Sequence, residues 1–285
     1  MVDSSDKQQG DFLATMAAGS RKRVAAARAK LKDAELLSRA ADTPAPPKLQ
    51  LSVRRFDLIA EVKFRSPKAG KLRKGGEGTV GARVGGYADA GAACVSVLTE
   101  PSRFDGSMEH LQAAVRALGG RIPAMRKDFL VDPYQVAESR LAGAGGVLLI
   151  LRMLDDAAAT AMIESAARFR LFALLECFDP ADIARAASLA KQAGSSAQLL
   201  VGVNCRDLTT LEVAAPRLEE LVRLLPDDLP RVAESGVTTA ADAGRLAIMG
   251  YDVALVGSAL MTALEPLPLV RAMLSAGRNE RARRS

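Results

Sequence analysis

The sequence predicts an α/β protein, a (β/α)8 TIM barrel with an N-terminal helical extension. Three observations lead to this fold. From residue 58 onward, eight short apolar runs rich in β-branched residues alternate with Ala- and Leu-rich stretches of helical periodicity. The spacing from each run to the next fits one strand plus one helix. The runs also lack polar alternation, which is typical of parallel strands covered by helices.

The N-terminal extension comes first. Residues 11–42 carry apolar positions such as Phe12 and Leu13 among Ala, Lys and Arg, with no proline, which predicts helix. The prolines within residues 43–47 then end the helix. About thirty residues are too few to bury a core of their own. We therefore expect residues 1–48 to pack on a barrel formed by residues 49–270.

The eight predicted strands follow in chain order. They are residues 58–62, 93–98, 123–125, 146–151, 171–175, 199–203, 231–233 and 253–256. Eight successive β-α units close into a barrel. A doubly wound open sheet is the structural alternative, but such a sheet rarely contains eight units of such even length.

The chain ends in a basic segment, residues 271–285, which we expect to be a tail. Four of its five arginines lie in the last eight residues: Arg278, Arg281, Arg283 and Arg284. With the formal net charge of +6, this segment fits binding of nucleic acid or of a small anionic ligand. The basic residues are not gathered into one surface with aromatic neighbours. A solvated tail is therefore the favoured interpretation, and we expect no nucleic-acid partner.

Composition excludes several classes of protein and site. A chain that is 49% hydrophobic and 25% charged is typical of globular proteins. No apolar run is long enough to span a bilayer, and no signal segment is visible, so we expect a cytoplasmic protein that does not contact membranes. Three cysteines without a CxxC pair indicate neither a disulfide framework nor a zinc site.

A single histidine limits the chemistry further. His110 lies in a polar, helix-like stretch, which is not the setting of a catalytic triad or of a histidine-based metal centre. A histidine at the surface is the favoured interpretation. If the protein is an enzyme, its acids and bases come from Lys, Glu, Asp, Tyr or Cys.

Polar and ionisable residues stand at the carboxyl ends of seven of the eight predicted strands, where barrel enzymes place catalytic groups. Among them are Glu61, Lys63, Lys127, Glu176, Asn204, Arg206, Glu234 and Ser235. A helix cap or a solvated loop charge explains any one of them. However, Lys or Glu stands inside or directly after an apolar strand on five occasions. Helix caps and solvated loop charges do not explain all of these.

Strand alternation predicts where these side chains point. Glu61 and Lys63 are two residues apart, so both face the barrel mouth. By the same rule Glu176 points inward and the next residue, Cys177, outward. Asn204 and Cys205 repeat this pattern on the next strand, so both cysteines are expected in the core.

Small residues follow the last two strands. ESG at residues 234–236 and VGS at residues 256–258 each precede a helix-forming stretch. Backbone N–H groups at such helix starts bind phosphate in many barrels. A tight turn explains either glycine alone, but the pair on adjacent strands indicates a phosphorylated ligand held by Gly236, Gly257 and Ser258.

Seven motifs, in this order and spacing, resemble those of the indole-3-glycerol phosphate synthase family: IAEVKFRSPKAG, SVLTEPSRFDGS, RKDFLVDPYQV, LLECFD, VGVNCRDL, ESGV and LVGSALM. The resemblance covers about residues 10–265. It implies a lyase of tryptophan biosynthesis that takes 1-(2-carboxyphenylamino)-1-deoxyribulose 5-phosphate, closes the pyrrole ring and expels CO₂ and water. It implies no cofactor and no metal.

The resemblance also implies catalytic roles. Lys127 is similar to the general acid that protonates the ketose carbonyl as the aromatic carbon attacks, and Glu176 to the base of the dehydration. Lys63 resembles the lysine that contacts substrate anions and assists proton transfer, with Glu61 beside it and Asn204 supporting the catalytic carboxylate. A nearby cation lowers the pKa of a lysine. We expect Lys63 to act on Lys127 in this way.

Substrate contacts follow from the same resemblance. Ser66, Glu234 and Ser235 would bind polar groups of the substrate, and Arg206 its anionic end. An apolar slot for the aromatic ring would consist of Phe104, Phe129 and Leu208. Gly236, Gly257 and Ser258 would hold the phosphate.

Two other functions remain open at this point. Another phosphate-binding barrel, such as a sugar-phosphate isomerase, shares the phosphate half but lacks the motifs of the first half. A non-catalytic or altered-substrate paralogue would bind a phosphorylated metabolite without this turnover, although Lys63, Lys127 and Glu176 are all present. We expect a monomer or a weak homodimer.

Overall fold

Eight parallel strands form a closed barrel, which confirms the predicted fold class. The computed structural model describes residues 4–52, 56–66, 70–72, 77–207 and 212–283. Numbered β1 to β8, the barrel strands are Asp57–Val62, Cys94–Leu98, Ala124–Lys127, Gly146–Ile150, Phe172–Cys177, Gln198–Asn204, Arg231–Glu234 and Val253–Val256. The last strand pairs with the first, with Ile59 opposite Leu255, so the barrel has no open edge.

Helices separate the strands and cover the barrel. In the described part of the chain, α1 to α12 are Ser4–Lys30, Asp33–Asp42, Glu77–Asp89, Pro101–Phe104, Met108–Leu118, Pro133–Leu141, Asp156–Arg168, Pro180–Ala193, Pro216–Val222, Ala240–Met249, Ser258–Thr262 and Pro266–Ala282. A small antiparallel pair, Arg65–Ser66 with Gly70–Lys71, lies beyond β1. None of the described helices is long and apolar enough to cross a membrane.

The strand side chains alternate between two apolar layers. Leu58, Ala60 and Val62 of β1 belong to the layer between barrel and helices. The intervening residues point to the barrel axis, where the odd-numbered strands contribute Ile59, Met125, Leu174 and Val232. Cys177 and Cys205 are buried in the outer layer, as alternation predicts.

The N-terminal extension forms two helices where the sequence predicts one. Lys32 has an extended backbone, so the chain turns between α1 and α2. The extension packs on the side of the barrel next to α6. Ser20 accepts a hydrogen bond of 2.9 Å from Gln135, and the Tyr134 hydroxyl donates to the Leu31 carbonyl at 2.9 Å.

The C-terminal segment is largely helix, which differs from the predicted tail. Helix α12 continues to Ala282, so the expected boundary at residue 270 falls inside it. Arg278 pairs with Asp57 at 2.7 Å and Arg281 with Asp252 at 2.6 Å. These two arginines therefore neutralise carboxylates at the amino ends of β1 and β8, whereas Arg283 is exposed and Arg284 lies outside the described residues.

Candidate active site

The carboxyl ends of the strands surround a cavity of about 360 Å³, within the size range of small-ligand sites. It is lined by every described site residue that the sequence predicts: Glu61, Lys63, Ser66, Phe104, Lys127, Phe129, Glu176, Asn204, Arg206, Glu234, Ser235, Gly236, Gly257 and Ser258. Leu208 lies outside the described residues. The fold thus gathers residues from distant parts of the chain into one cavity.

Four charged side chains form one layer of the barrel interior. Glu61, Lys127, Glu176 and Glu234 each follow, by two residues, an inward apolar residue of an odd-numbered strand. In a barrel such a layer is usually filled by branched apolar side chains. The three carboxylate residues are each at most 2% exposed. Buried charges are costly unless they are paired, so this layer points to chemistry.

Lys127 connects two of these carboxylates. Its Nζ donates to Glu176 Oε2 at 3.2 Å and to Glu234 Oε2 at 3.1 Å. Burial lowers the pKa of Lys127, but the charges of Glu176, Glu234 and Glu61 outweigh this and raise the pKa well above its ordinary value. Our expectation of a pKa lowered by Lys63 is therefore wrong. The charges that face Lys127 across the closed barrel are carboxylates.

Glu176 is fixed from its other side. Its Oε1 accepts a 2.7 Å hydrogen bond from Asn204 Nδ2. Asn204 Oδ1 in turn accepts the backbone N–H of Arg206 at 3.0 Å, which sets the orientation of the amide. The carboxylate is thus held between an ammonium and an amide, with one hydrogen bond to each of its oxygens.

Glu234 is the carboxyl group with the weaker support. Burial, followed by repulsion from Glu176, raises its pKa to about 8 in spite of the contact with Lys127. Its Oε1 is buried and has no hydrogen-bond partner among the described residues. This carboxyl group therefore takes up a proton more readily than an ordinary glutamate.

Lys63 pairs with Glu61, as their predicted common face requires. The Lys63 Nζ lies 2.6 Å from Glu61 Oε1. Gly257, at the end of β8, makes room for this pair, because a Cβ there would overlap the Glu61 carboxylate. The Lys63 side chain is 14% exposed and lines the cavity.

Aromatic rings form the apolar side of the cavity. Phe129 packs 6.0 Å from Phe104 and 5.9 Å, edge to face, from Phe12. Phe12 belongs to α1, and sequence reasoning missed it as a site residue. The apolar pattern of the extension indicates that Phe12 is buried, but it gives no sign that the ring reaches the barrel mouth.

The wall opposite the rings is built from small residues. Ser235 and Gly236 both have a left-handed backbone, with φ of +70° and +72°, which turns the chain at the end of β7. Ser258 begins α11 directly after Gly257. The backbone can therefore approach a ligand closely on this side.

Several polar groups lie apart from the cavity. His110 is half-buried on α5, where its ring packs edge to face against Phe64 at 5.0 Å. Arg126 points away from the mouth, as alternation predicts, and contacts Asp128 and Glu138. Among the residues that the structure describes, no three His, Cys, Asp or Glu side chains are grouped to hold a metal ion.

Comparison with known proteins supports one family. A family model described as indole-3-glycerol phosphate synthase matches residues 13–273. Relatives with this name include those of Mycolicibacterium smegmatis, 38% identical over 91% of this chain and 92% of the relative, and Opitutus terrae, 35% identical over 91% and 97%. The relative from Rhodopirellula baltica is 38% identical over 85% and 90%.

Solved structures show the same fold at low identity. The 3-hexulose-6-phosphate synthase from Salmonella typhimurium matches 79% of this chain and 99% of its own, with a TM-score of 0.60 and 16% identity. Thiamine phosphate pyrophosphorylase from Pyrococcus furiosus matches 80% and 99%, with a TM-score of 0.57 and 16% identity. These similarities concern the barrel alone.

Proposed function

The chain belongs to the indole-3-glycerol phosphate synthase family, and we propose that Lys127 is the general acid and Glu176 the general base of its reaction. The enzyme is a carboxy-lyase of tryptophan biosynthesis. It closes the pyrrole ring of 1-(2-carboxyphenylamino)-1-deoxyribulose 5-phosphate with loss of CO₂ and water.

One observation carries the proposed roles, the contact of Lys127 with Glu176 and Glu234 in a buried layer. Ring closure needs an acid at a carbonyl oxygen and a base within reach of the same substrate. Nζ of Lys127 lies 3.2 Å from Glu176, so both groups can address one reacting centre. The raised pKa of Lys127 keeps its ammonium charged at neutral pH, and so keeps a proton in place.

Two chemical steps follow. In the first, the ring carbon that bears the carboxylate attacks the ketose carbonyl, and Lys127 donates a proton to the carbonyl oxygen. CO₂ then leaves, and its bonding electrons restore the aromatic ring. In the second step Lys63 donates a proton to the new hydroxyl, which leaves as water. Glu176 takes a proton from the carbon next to the ring nitrogen, and the pyrrole double bond forms.

Glu234 adjusts the acid strength of Lys127. When Glu234 carries a proton, one of the carboxylate charges that stabilise the Lys127 ammonium is absent. The lysine then gives up its proton more readily. Because the two groups are in contact, their titrations are linked.

The cavity walls support the remaining roles. The rings of Phe104 and Phe129 face the position for the anthranilate ring, and Gly236, Gly257 and Ser258 the position for the phosphate. We assign Ser66, Arg206 and Ser235 to further substrate contacts. Leu208, which lies outside the described residues, stays a predicted part of the slot for the aromatic ring. The phosphorylated substrate is the expected partner, and the expected location is the cytoplasm.

Indole fluorescence tests the function directly, because the chain contains no tryptophan. Fluorescence is expected to rise when the wild-type protein is mixed with the carboxyphenylamino-deoxyribulose phosphate. Lys127→Ala and Glu176→Gln are each expected to lower kcat at least a hundredfold with substrate affinity within tenfold. The control Lys191→Ala, on the exposed face of α8, is expected to leave kcat unchanged.

Two results would contradict the proposal. Tight binding of the substrate without any fluorescence from the wild type would identify a non-catalytic paralogue. An unchanged kcat in Lys127→Ala or Glu176→Gln would overturn the role of that residue.

A further inference from the structure

Helix α1 reaches the catalytic strand β3 through a buried carboxylate, Asp128, which directly follows Lys127. The Asp128 side chain is fully buried and accepts four hydrogen bonds. Its Oδ1 accepts the backbone N–H of Phe129 at 2.8 Å and Arg23 Nη2 at 2.7 Å. Its Oδ2 accepts from the Thr99 hydroxyl at 2.8 Å and from Arg126 Nη2 at 3.1 Å.

Arg23 is the donor in this group that comes from outside the barrel. It lies on α1, 105 residues before Asp128. Its Nη1 also lies 3.7 Å from Glu100 Oε1, and Glu100 follows β2 and caps α4. One guanidinium therefore connects the extension with the ends of two neighbouring strands.

The position of Arg23 matters because Asp128 Oδ1 is shared. The same oxygen that binds Arg23 binds the N–H of Phe129, so the guanidinium helps to fix the peptide just beyond Lys127. Without Arg23 this oxygen keeps the N–H of Phe129, and Asp128 keeps one guanidinium, Arg126, which is also paired with Glu138 at 2.7 Å. A buried carboxylate that loses part of its neutralisation tends to move towards other donors.

We propose that Arg23 is a positioning residue for the reaction. Through Asp128 it holds the end of β3 so that Lys127 meets Glu176 and the Phe129 ring faces the substrate. Arg23 itself does not line the cavity. The N-terminal extension thus contributes to catalysis through an ion pair behind the site. This inference rests on the proposed role of Lys127.

The same helix provides a matched control. Arg28 lies five residues further along α1 and pairs with Asp132 at 2.8 Å, in the loop that also follows β3. It docks the same helix on the same loop, but its partner lies farther from Lys127 in the chain. Arg28→Ala therefore reports the effect of weaker docking without loss of the Asp128 contact.

The experiment compares kcat, KM and the melting temperature of wild type, Arg23→Ala and Arg28→Ala. Arg23→Ala is expected to lower kcat at least tenfold, while Arg28→Ala stays within twofold of wild type. Both variants are expected to stay folded at the assay temperature, with the lower melting temperature in Arg23→Ala, since Asp128 is fully buried and Asp132 is partly exposed. In a variant that already carries Asp128→Asn, addition of Arg23→Ala is expected to change kcat by less than twofold, since the two act through one contact.

A kcat of Arg23→Ala within twofold of wild type, or an equal loss in Arg28→Ala, would overturn the inference. If Arg23→Ala does not fold, Arg23→Lys and Arg28→Lys take its place, and only the former is expected to lower kcat. An inactive wild-type protein would contradict both the proposed function and this inference. If the wild type is active and Arg23→Ala and Arg28→Ala have equal kcat values, this inference alone would be contradicted.

Discussion

The carboxylate of Glu234 rests against the α-carbon of Gly202 on the neighbouring strand. A Cβ at Gly202 would lie 2.5 Å from Glu234 Oε1 and 3.1 Å from Leu174 Cδ1. These strands, β6 and β7, pair directly, with Gly202 opposite Val232. Because Gly202 has no side chain, there is room for Glu234 Oε1, and Oε2 of the same carboxylate can reach Lys127.

Gly202→Ala is expected to lower kcat about tenfold, because the added methyl group displaces Glu234 from Lys127. Overpacking of this kind costs about 1–3 kcal/mol of stability. In a chain with Glu234→Ala, the same substitution is expected to have little further effect on kcat. Gly244→Ala on α10, where a Cβ would meet nothing closer than 3.5 Å, serves as the control. An equal loss of kcat with and without Glu234 would contradict this account.

The raised pKa of Glu234 predicts a pH-dependent stability. Between the ordinary pKa of 4.5 and about 8, the folded protein retains a proton that the unfolded chain has lost. The free energy of unfolding therefore falls as pH rises through this window, by at most about 1.4 kcal/mol per pH unit from this group. The free energy of unfolding is measured by urea denaturation of the wild type and Glu234→Gln at a series of pH values between 4.5 and about 8. Parallel profiles of the two proteins would argue against the shift.

Arg278→Ala is expected to destabilise the protein by about 3–5 kcal/mol, since the buried Asp57 carboxylate would keep the Ser52 N–H but lose its neutralising cation. Arg278 also donates to the Phe56 carbonyl at 3.1 Å. The value of kcat is expected to be unchanged, because these contacts lie at the amino ends of the strands. Chemical denaturation checks the stability. Arg283→Ala, at an exposed pair with Glu280, is the control, and equal stability of both variants would exclude a structural role for Arg278.

Phe12→Ala is expected to raise KM about tenfold, with a smaller change in kcat. The substitution removes the ring that packs edge to face on Phe129 and opens the apolar side of the cavity. Phe12→Leu keeps most of the apolar surface and is expected to retain a KM within threefold of wild type. Steady-state kinetics distinguish these outcomes. An unchanged KM in Phe12→Ala would show that the substrate does not use this part of the wall.

The fold and the position of the site were predictable because both depend on short-range patterns. Strand alternation and the point at which each strand ends identify Glu61, Lys63, Glu176 and Asn204 as inward-facing without knowledge of any long-range contact. The same rule places Cys177 and Cys205 in the outer apolar layer.

Features that depend on barrel closure were not predictable. The pKa of Lys127 is set by carboxylates of β1, β5 and β7, which the sequence does not bring together. Arg23 and Phe12 meet partners more than a hundred residues away, and no local pattern indicates these contacts. The basic C-terminal segment resembles a tail because the acidic partners of Arg278 and Arg281 lie 221 and 29 residues earlier in the chain, outside the segment itself.

The opposite faces of Glu176 and Cys177 limit how this protein can change in length. Insertion or deletion of one residue within β5 would exchange the two faces, so that a thiol entered the mouth and a carboxylate entered the apolar layer beneath the helices. Neighbouring residues at the carboxyl ends of β3 and β6 also point to opposite faces, so the same limit on strand length applies there. Changes of length can therefore accumulate in the loops that follow the helices, while the residue count inside each strand is fixed as strictly as the identity of its reactive side chain.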